Sequence, residues 1–147
     1  MSQIGNHAFM CRFAELLNTA SPKLACDLIA PDAAFDSVIT GKSHIGAEGY
    51  LEILAALKTG FPDAYWDLQE VVGEGNVFAA RFNISGTHSG VFQGIAPTGR
   101  EVRICATNIY RLKHGKLVRE FDQFDNLSLM WQMGVYPPMS RDRKAHV

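Results

Sequence analysis

Two runs decide how this chain reads: Arg100-Glu-Val-Arg-Ile-Cys-Ala-Thr-Asn-Ile-Tyr-Arg-Leu-Lys113 and Lys116-Leu-Val-Arg-Glu-Phe-Asp-Gln-Phe124, joined by His114-Gly115. In the first, even positions are Val102, Ile104, Ala106, Asn108, Tyr110 and Leu112. Odd positions are Arg103, Cys105, Thr107, Ile109 and Arg111. A period of two with one apolar face predicts a strand lying on a core. The connection then decides what stands opposite. A two-residue turn at His114-Gly115 pairs Thr107 with Asp122 on the polar face. A three-residue loop, Lys113-His114-Gly115, puts Gly115 in the left-handed position after a type I turn. It pairs Asn108 with Glu120 and Ala106 with Asp122 on the apolar face. A slip of one residue moves every side chain to the other face. The three-residue loop is preferred, because it places Val118 and Phe124 with the core and Arg119 and Gln123 outside.

That register sends two carboxyl groups, Glu120 and Asp122, inward beside Asn108 and Tyr110. A carboxylate in a dry core is costly unless paired or hydrogen-bonded. The pattern therefore predicts a polar cavity, in which desolvation raises a carboxyl's pKa and strengthens it as a base. A structural ion pair with Arg81, from the otherwise apolar run Val77 to Phe82, explains the same spacing.

Working outward, the second half continues as strands: Trp66 to Val72, the turn Gly73-Glu74-Gly75-Asn76, then Val77 to Thr87. A glycine-punctuated segment, Gly90 to Gly94, and a turn at Pro97-Thr98-Gly99 follow. The first half has helical spacing. Phe9, Phe13, Leu16 and Leu17 form one stripe, and Leu24, Ala25, Leu28 and Ile29 a second, opened by Ser21-Pro22. Tyr50, Leu51, Ile53, Leu54 and Leu57 form a third, with Lys58 in its last turn and Gly60 as its expected C-cap. Phe35 to Thr40 reads as a short strand. Helices followed by strands predict an α+β fold with helices on one face of an antiparallel sheet. Residues 1–147 read as a single domain, with a flexible tail expected at 137–147 after Pro137-Pro138.

Composition narrows the function. Of 147 residues, 47% are apolar and 20% charged, with a net charge of −1. No strong field gathers nucleic acid or an anionic membrane, and no apolar run approaches the roughly 20 residues of a span. Cys11, Cys26 and Cys105 are odd in number and form no C-x-x-C pair, which fits a reducing compartment. The start lacks a signal-peptide pattern. A cytoplasmic protein is expected.

Several short motifs together resemble the SnoaL-like polyketide cyclases. They are Gly86-Thr87-His88-Ser89-Gly90, Gly94 to Arg100, His114 to Asp122, and Gln132-Met133-Gly134. The resemblance runs from about Phe9 to Gly134. It implies a nuclear-transport-factor-2-like cone, in which a curved antiparallel sheet and about three N-terminal helices on its concave face enclose a pocket. It further implies intramolecular aldol condensation of an apolar carbonyl or polyketide-like small molecule, without metal or organic cofactor. The family's base, an aspartate in the last strand, matches Asp122. A histidine that assists in some members matches Asn108, which cannot transfer a proton near neutral pH but can donate a hydrogen bond to an enolate oxygen. An early polar position matches Phe35, with Asp36 beside it.

Among other candidates, His88 either hydrogen-bonds a substrate carbonyl or ties a loop to the sheet. Arg81 either holds a substrate carboxylate or pairs with Glu120 or Asp122, the latter favoured. Tyr50, Trp66, Phe92 and Trp131 either wall an aromatic pocket or pack the core. No histidine pair has metal spacing, and Gly90 to Gly99 lacks a phosphate-loop pattern. A non-catalytic binding protein and an isomerase or dehydratase are the alternative functions. Ile109 and Phe121, on the outer sheet face, are expected to form a dimer or tetramer interface.

Overall fold

The structure, a computed structural model, describes residues 2–135. The expected tail at 137–147 lies outside the described residues. Helix α1 (Gln3–Thr19) starts at Ser2, whose Oγ accepts from the Gly5 N–H at 3.1 Å, and ends at Ala20 in the left-handed region. Helix α2 (Pro22–Leu28) is opened by Ser21, which accepts from the Leu24 N–H, as its cap chemistry predicts. Strands β1 (Ala34–Ser37) and β2 (Lys42–Ile45) form a separate two-stranded sheet, and α3 (Gly46–Gly60) follows. The Phe35–Thr40 strand is therefore shorter than expected and turns back on a partner that the sequence did not reveal.

The second half is a curved antiparallel meander, β3 (Tyr65–Val72), β4 (Val77–Thr87), β5 (Glu101–Lys113) and β6 (Lys116–Phe121), in that spatial order. Helix α4 (Asn126–Gln132) closes the described fold. The sheet is open, and β3 carries a bulge between Leu68 and Glu70 that helps it bend. Inward residues of β5 are buried or half-buried, and Arg103, Cys105, Thr107, Ile109 and Arg111 are exposed. The apolar alternation thus sets the sheet against the helices. The main core lies between them: Phe13 from α1 stands edge-on to both Tyr50 and Tyr110, each 5.5 Å away. No helix of the described residues is long and apolar enough to cross a membrane.

Two details depart from the sequence reading. Gly60 lies within the last turn of α3, and Phe61 is the C-cap. Gly60 serves a close approach instead: a Cβ there would stand 2.7 Å from Cβ of Phe92. The terminal carbonyl of Gly60 accepts from the N–H groups of Ser89 and Gly90, so the 88–95 loop satisfies the helix end.

The second departure is the hairpin. Lys113 pairs with Lys116, so the turn has two residues, not three, and His114 and Gly115 both have positive φ (52° and 75°), the signature of a type I′ turn. Such a turn alone would carry Asp122 to the outer face. A bulge intervenes: Leu112 pairs with Leu117 but Arg111 with Arg119, leaving Val118 as the extra residue. Leu117 is fully buried and Val118 packs against the same core. The extra residue restores the parity, so Glu120 opposes Tyr110 instead of Asn108, and the even face still looks inward.

Candidate active site

Between the sheet, α3, the β1–β2 hairpin and α4 lies a cavity of about 330 Å³. Its walls are mostly apolar, with Phe35, Tyr50, Trp66 and Phe92 among them, and Asp36, Asn108, Glu120 and Asp122 supply polar groups. Eight expected site residues therefore meet in one space. The remaining three, Tyr110, His88 and Arg81, stand outside its lining.

Strand β6 ends at Phe121, but the chain stays beside β5: the Thr107 N–H donates to the Gln123 carbonyl at 2.8 Å, and Phe124 bridges to Ala106. At the break between them sits Asp122. Asn108 spans that break. Its Oδ1 accepts from the Gln123 N–H at 3.1 Å, and its Nδ2 donates to Glu120 Oε1 at 3.2 Å and to the Tyr110 hydroxyl at 3.3 Å. Both amide N–H groups are thus committed, which revises the expectation that Asn108 offers one to a ligand.

Burial, followed by the charge of Asp122, raises the Glu120 pKa well above the usual carboxylate range. Burial also raises Asp122, while its hydrogen bond with Glu120 pulls the other way. Asp122 lines the cavity and is itself exposed, so the protein around its carboxyl desolvates it only in part. No hydrogen bond of standard geometry reaches the buried Glu120 Oε2, although Asp122 is near enough to share a proton with this carboxyl. The two groups titrate as a pair in which Glu120 holds the proton longer. Burial and these two carboxylates also push the phenols of Tyr50 and Tyr110 well up, so both stay neutral.

His88 belongs to a loop. It is fully buried, its Nδ1 accepts from the Thr98 N–H at 3.3 Å, and its ring stacks on Phe61 at 5.3 Å. Its backbone N–H and C=O bind Arg100 and Gly99. Arg81 points outward and pairs with Glu70, its cross-strand neighbour, at 3.4 Å. It does not meet Glu120 or Asp122, because odd residues of β4 share the outer face. Trp131 is half-exposed and is not part of the cavity wall.

Sequence reasoning missed two side-chain amides that finish the sheet around the site. Asn18 donates to the Trp66 carbonyl and accepts from its N–H (2.9 and 2.8 Å), and Gln132 does the same for Arg103 (2.8 and 2.6 Å). Each occupies a strand edge that lacks a neighbour. Helix α4, which carries Gln132, was also missed, although Asp125 is a good N-cap and Leu129 and Met133 are four apart.

The sequence profile of the SnoaL-like polyketide cyclase family matches residues 7–133, and the chain belongs to that family. Its fold is similar to that of IdmH from Streptomyces antibioticus, described as a candidate polyketide cyclase. The two share 29% identity at a TM-score of 0.76, over 88% of this chain and 99% of that one. TsrD from Streptomyces laurentii aligns at 22% identity and a TM-score of 0.82, over 92% and 99% of the two chains. AclR from Streptomyces galilaeus, described as a candidate hydroxylase, aligns at 21% and 0.77, over 92% and 100%. No curated protein matches the sequence.

Proposed function

We propose that the protein is a cofactor-independent cyclase acting on an apolar polyketide-like carbonyl compound, with Asp122 as general base. One observation carries the reading: a partly desolvated carboxyl with a raised pKa lines an aromatic-walled cavity large enough for a small ligand. Asp122 takes a proton from a carbon between two carbonyls. The enolate attacks a second carbonyl of the same molecule, a ring closes, and the resulting alkoxide recovers the proton from Asp122. Proton transfer by a placed base contributes about 10²–10⁴-fold, and holding the two ends of the substrate together contributes more. Phe35, Trp66 and Phe92 grip the apolar body. Asp36, whose carboxylate accepts from Ser43, stands at the hairpin side of the cavity. Asn108 serves by holding Glu120 and the backbone after Asp122 in place.

A second reading, a binding protein without turnover, is favoured by Asn108 itself, which stands where some relatives carry an assisting histidine and has no N–H to spare. Solvent deuterium exchange into 1,3-dicarbonyl probes and a tricyclic β-keto ester separates the two. Exchange by wild type that is lost in Asp122→Asn supports the base; equal exchange by both overturns it. No exchange with ligand binding retained favours the binding protein.

Residues 1–147 act as one domain in this reading, and free, exposed cysteines fit a cytoplasmic site of action. Ile109 and Phe121 pair across β5 and β6 and are 48% and 50% exposed, so this outer face is proposed as a self-association surface. Sedimentation of Ile109→Lys, expected to lower the mass of any oligomer, tests it.

A further inference from the structure

Glu120 is half-buried, with its Oε2 enclosed, and is a cavity-lining carboxyl to which the aldol scheme gives no task. Its Oε1 accepts from Asn108 Nδ2 at 3.2 Å, and the same amide accepts from the Gln123 N–H at 3.1 Å, so one side chain grips the residues on both sides of Asp122. Its Oε2 is buried without a hydrogen-bond partner. The titratable groups that face it are Asp122, Tyr50 from α3 and Tyr110 from β5, with no cation among them. Hydrogen bonds from the Tyr50 and Tyr110 phenols favour a carboxylate there, but burial and the second carboxylate outweigh them. The neutral acid has an O–H to donate, and Asp122 is the acceptor beside it.

We infer that Glu120 is a positioning residue for the base, a neutral carboxylic acid fixed by Asn108 that shares one proton with Asp122 and keeps Asp122 ionised near neutral pH. The inference rests on Asp122 as the base. Desolvation raises the pKa of Asp122; a donated hydrogen bond to its charged form opposes that. The net charge of the pair stays at one negative unit, so the cavity never holds two carboxylates while the base is ready.

Two measurements test it. In the pH profile of deuterium exchange, Glu120→Leu removes the donor and moves the acid limb up by about one pH unit, the size of a lost hydrogen bond to a charged group. Glu120→Gln retains an N–H donor, and its limb stays near that of wild type. An unmoved limb in Glu120→Leu, or equal shifts in both variants, overturns the inference. Independently of activity, ¹³C-carboxyl NMR of wild type should show one carboxyl titrating far above the ordinary range, absent from Glu120→Gln. A Glu120 signal titrating in the ordinary carboxylate range overturns it even if Glu120→Leu fails to fold. Exchange that survives Asp122→Asn would instead sink the reading of Asp122, so the two failures look different.

Discussion

His88 and Glu120 invite comparison, because both present a buried polar atom with no partner and only one faces the cavity. The bonds of His88 run to Thr98, Gly99 and Arg100, back into its own loop. Those of Glu120 run through Asn108 to either side of a cavity-lining carboxyl. Burial of a titratable group therefore does not locate a site; the destination of its hydrogen bonds does.

The comparison breaks if the variants do not separate activity from stability. The largest effect belongs to Asp122→Asn: exchange into a 1,3-dicarbonyl probe should fall by about 10²–10⁴-fold with little change in melting temperature. His88→Ala should do the converse. It opens a cavity behind Phe61 and orphans Thr98, at a cost of about 3 kcal/mol in urea unfolding, while exchange by the folded fraction stays near that of wild type. Asn108→Ala leaves Glu120 Oε1 and the Gln123 N–H unpaired, a loss of about 2 kcal/mol.

A smaller effect sharpens the Glu120 side. Its folded pKa lies above the ordinary value of 4.5, so the folded state binds the proton more tightly than the unfolded chain. Wild-type stability therefore falls as pH rises above that value, until the folded carboxyl itself ionises. Glutamine has no such proton to lose. The melting temperature of Glu120→Gln, measured relative to wild type, should climb as pH rises above 4.5 and level off once the folded wild-type carboxyl ionises. The smallest effect is Arg81→Ala, an exposed pair with Glu70. It should cost no more than about 0.5 kcal/mol and leave exchange unchanged, which would be hard to reconcile with a substrate-binding role.

Where side-chain period alone decides, the sequence was readable. The alternation through Val102 and Leu112 told which face of β5 is buried, and Ser21-Pro22 told where a helix starts. Asp122 and Glu120 face inward as expected but by another route: the loop is one residue shorter than read, and the bulge at Val118 restores the parity. What the sequence concealed depends on long-range partners. The β1–β2 pairing joins eight residues of low apolar content, and its anchor is tertiary: His44 is buried between Thr40 (2.6 Å) and Glu52 (3.0 Å). The surroundings of His88 likewise depend on the loop returning at Thr98, ten residues later. The hairpin turn was misread because a type I′ pair and a glycine-ended loop share the same His-Gly letters, and no local feature announces a bulge at Val118.

That bulge has an evolutionary consequence. A one-residue deletion between Lys116 and Arg119 would change no residue of the cavity wall, yet it would turn Glu120 and Asp122 onto the solvent side and bring Phe121 inward. Two deletions would restore the facing. Length variation in this hairpin is thus tolerated in steps of two, and among descendants of such a sequence the count of residues between Gly115 and the aspartate, rather than the letters themselves, tells whether the carboxyl still faces the ligand.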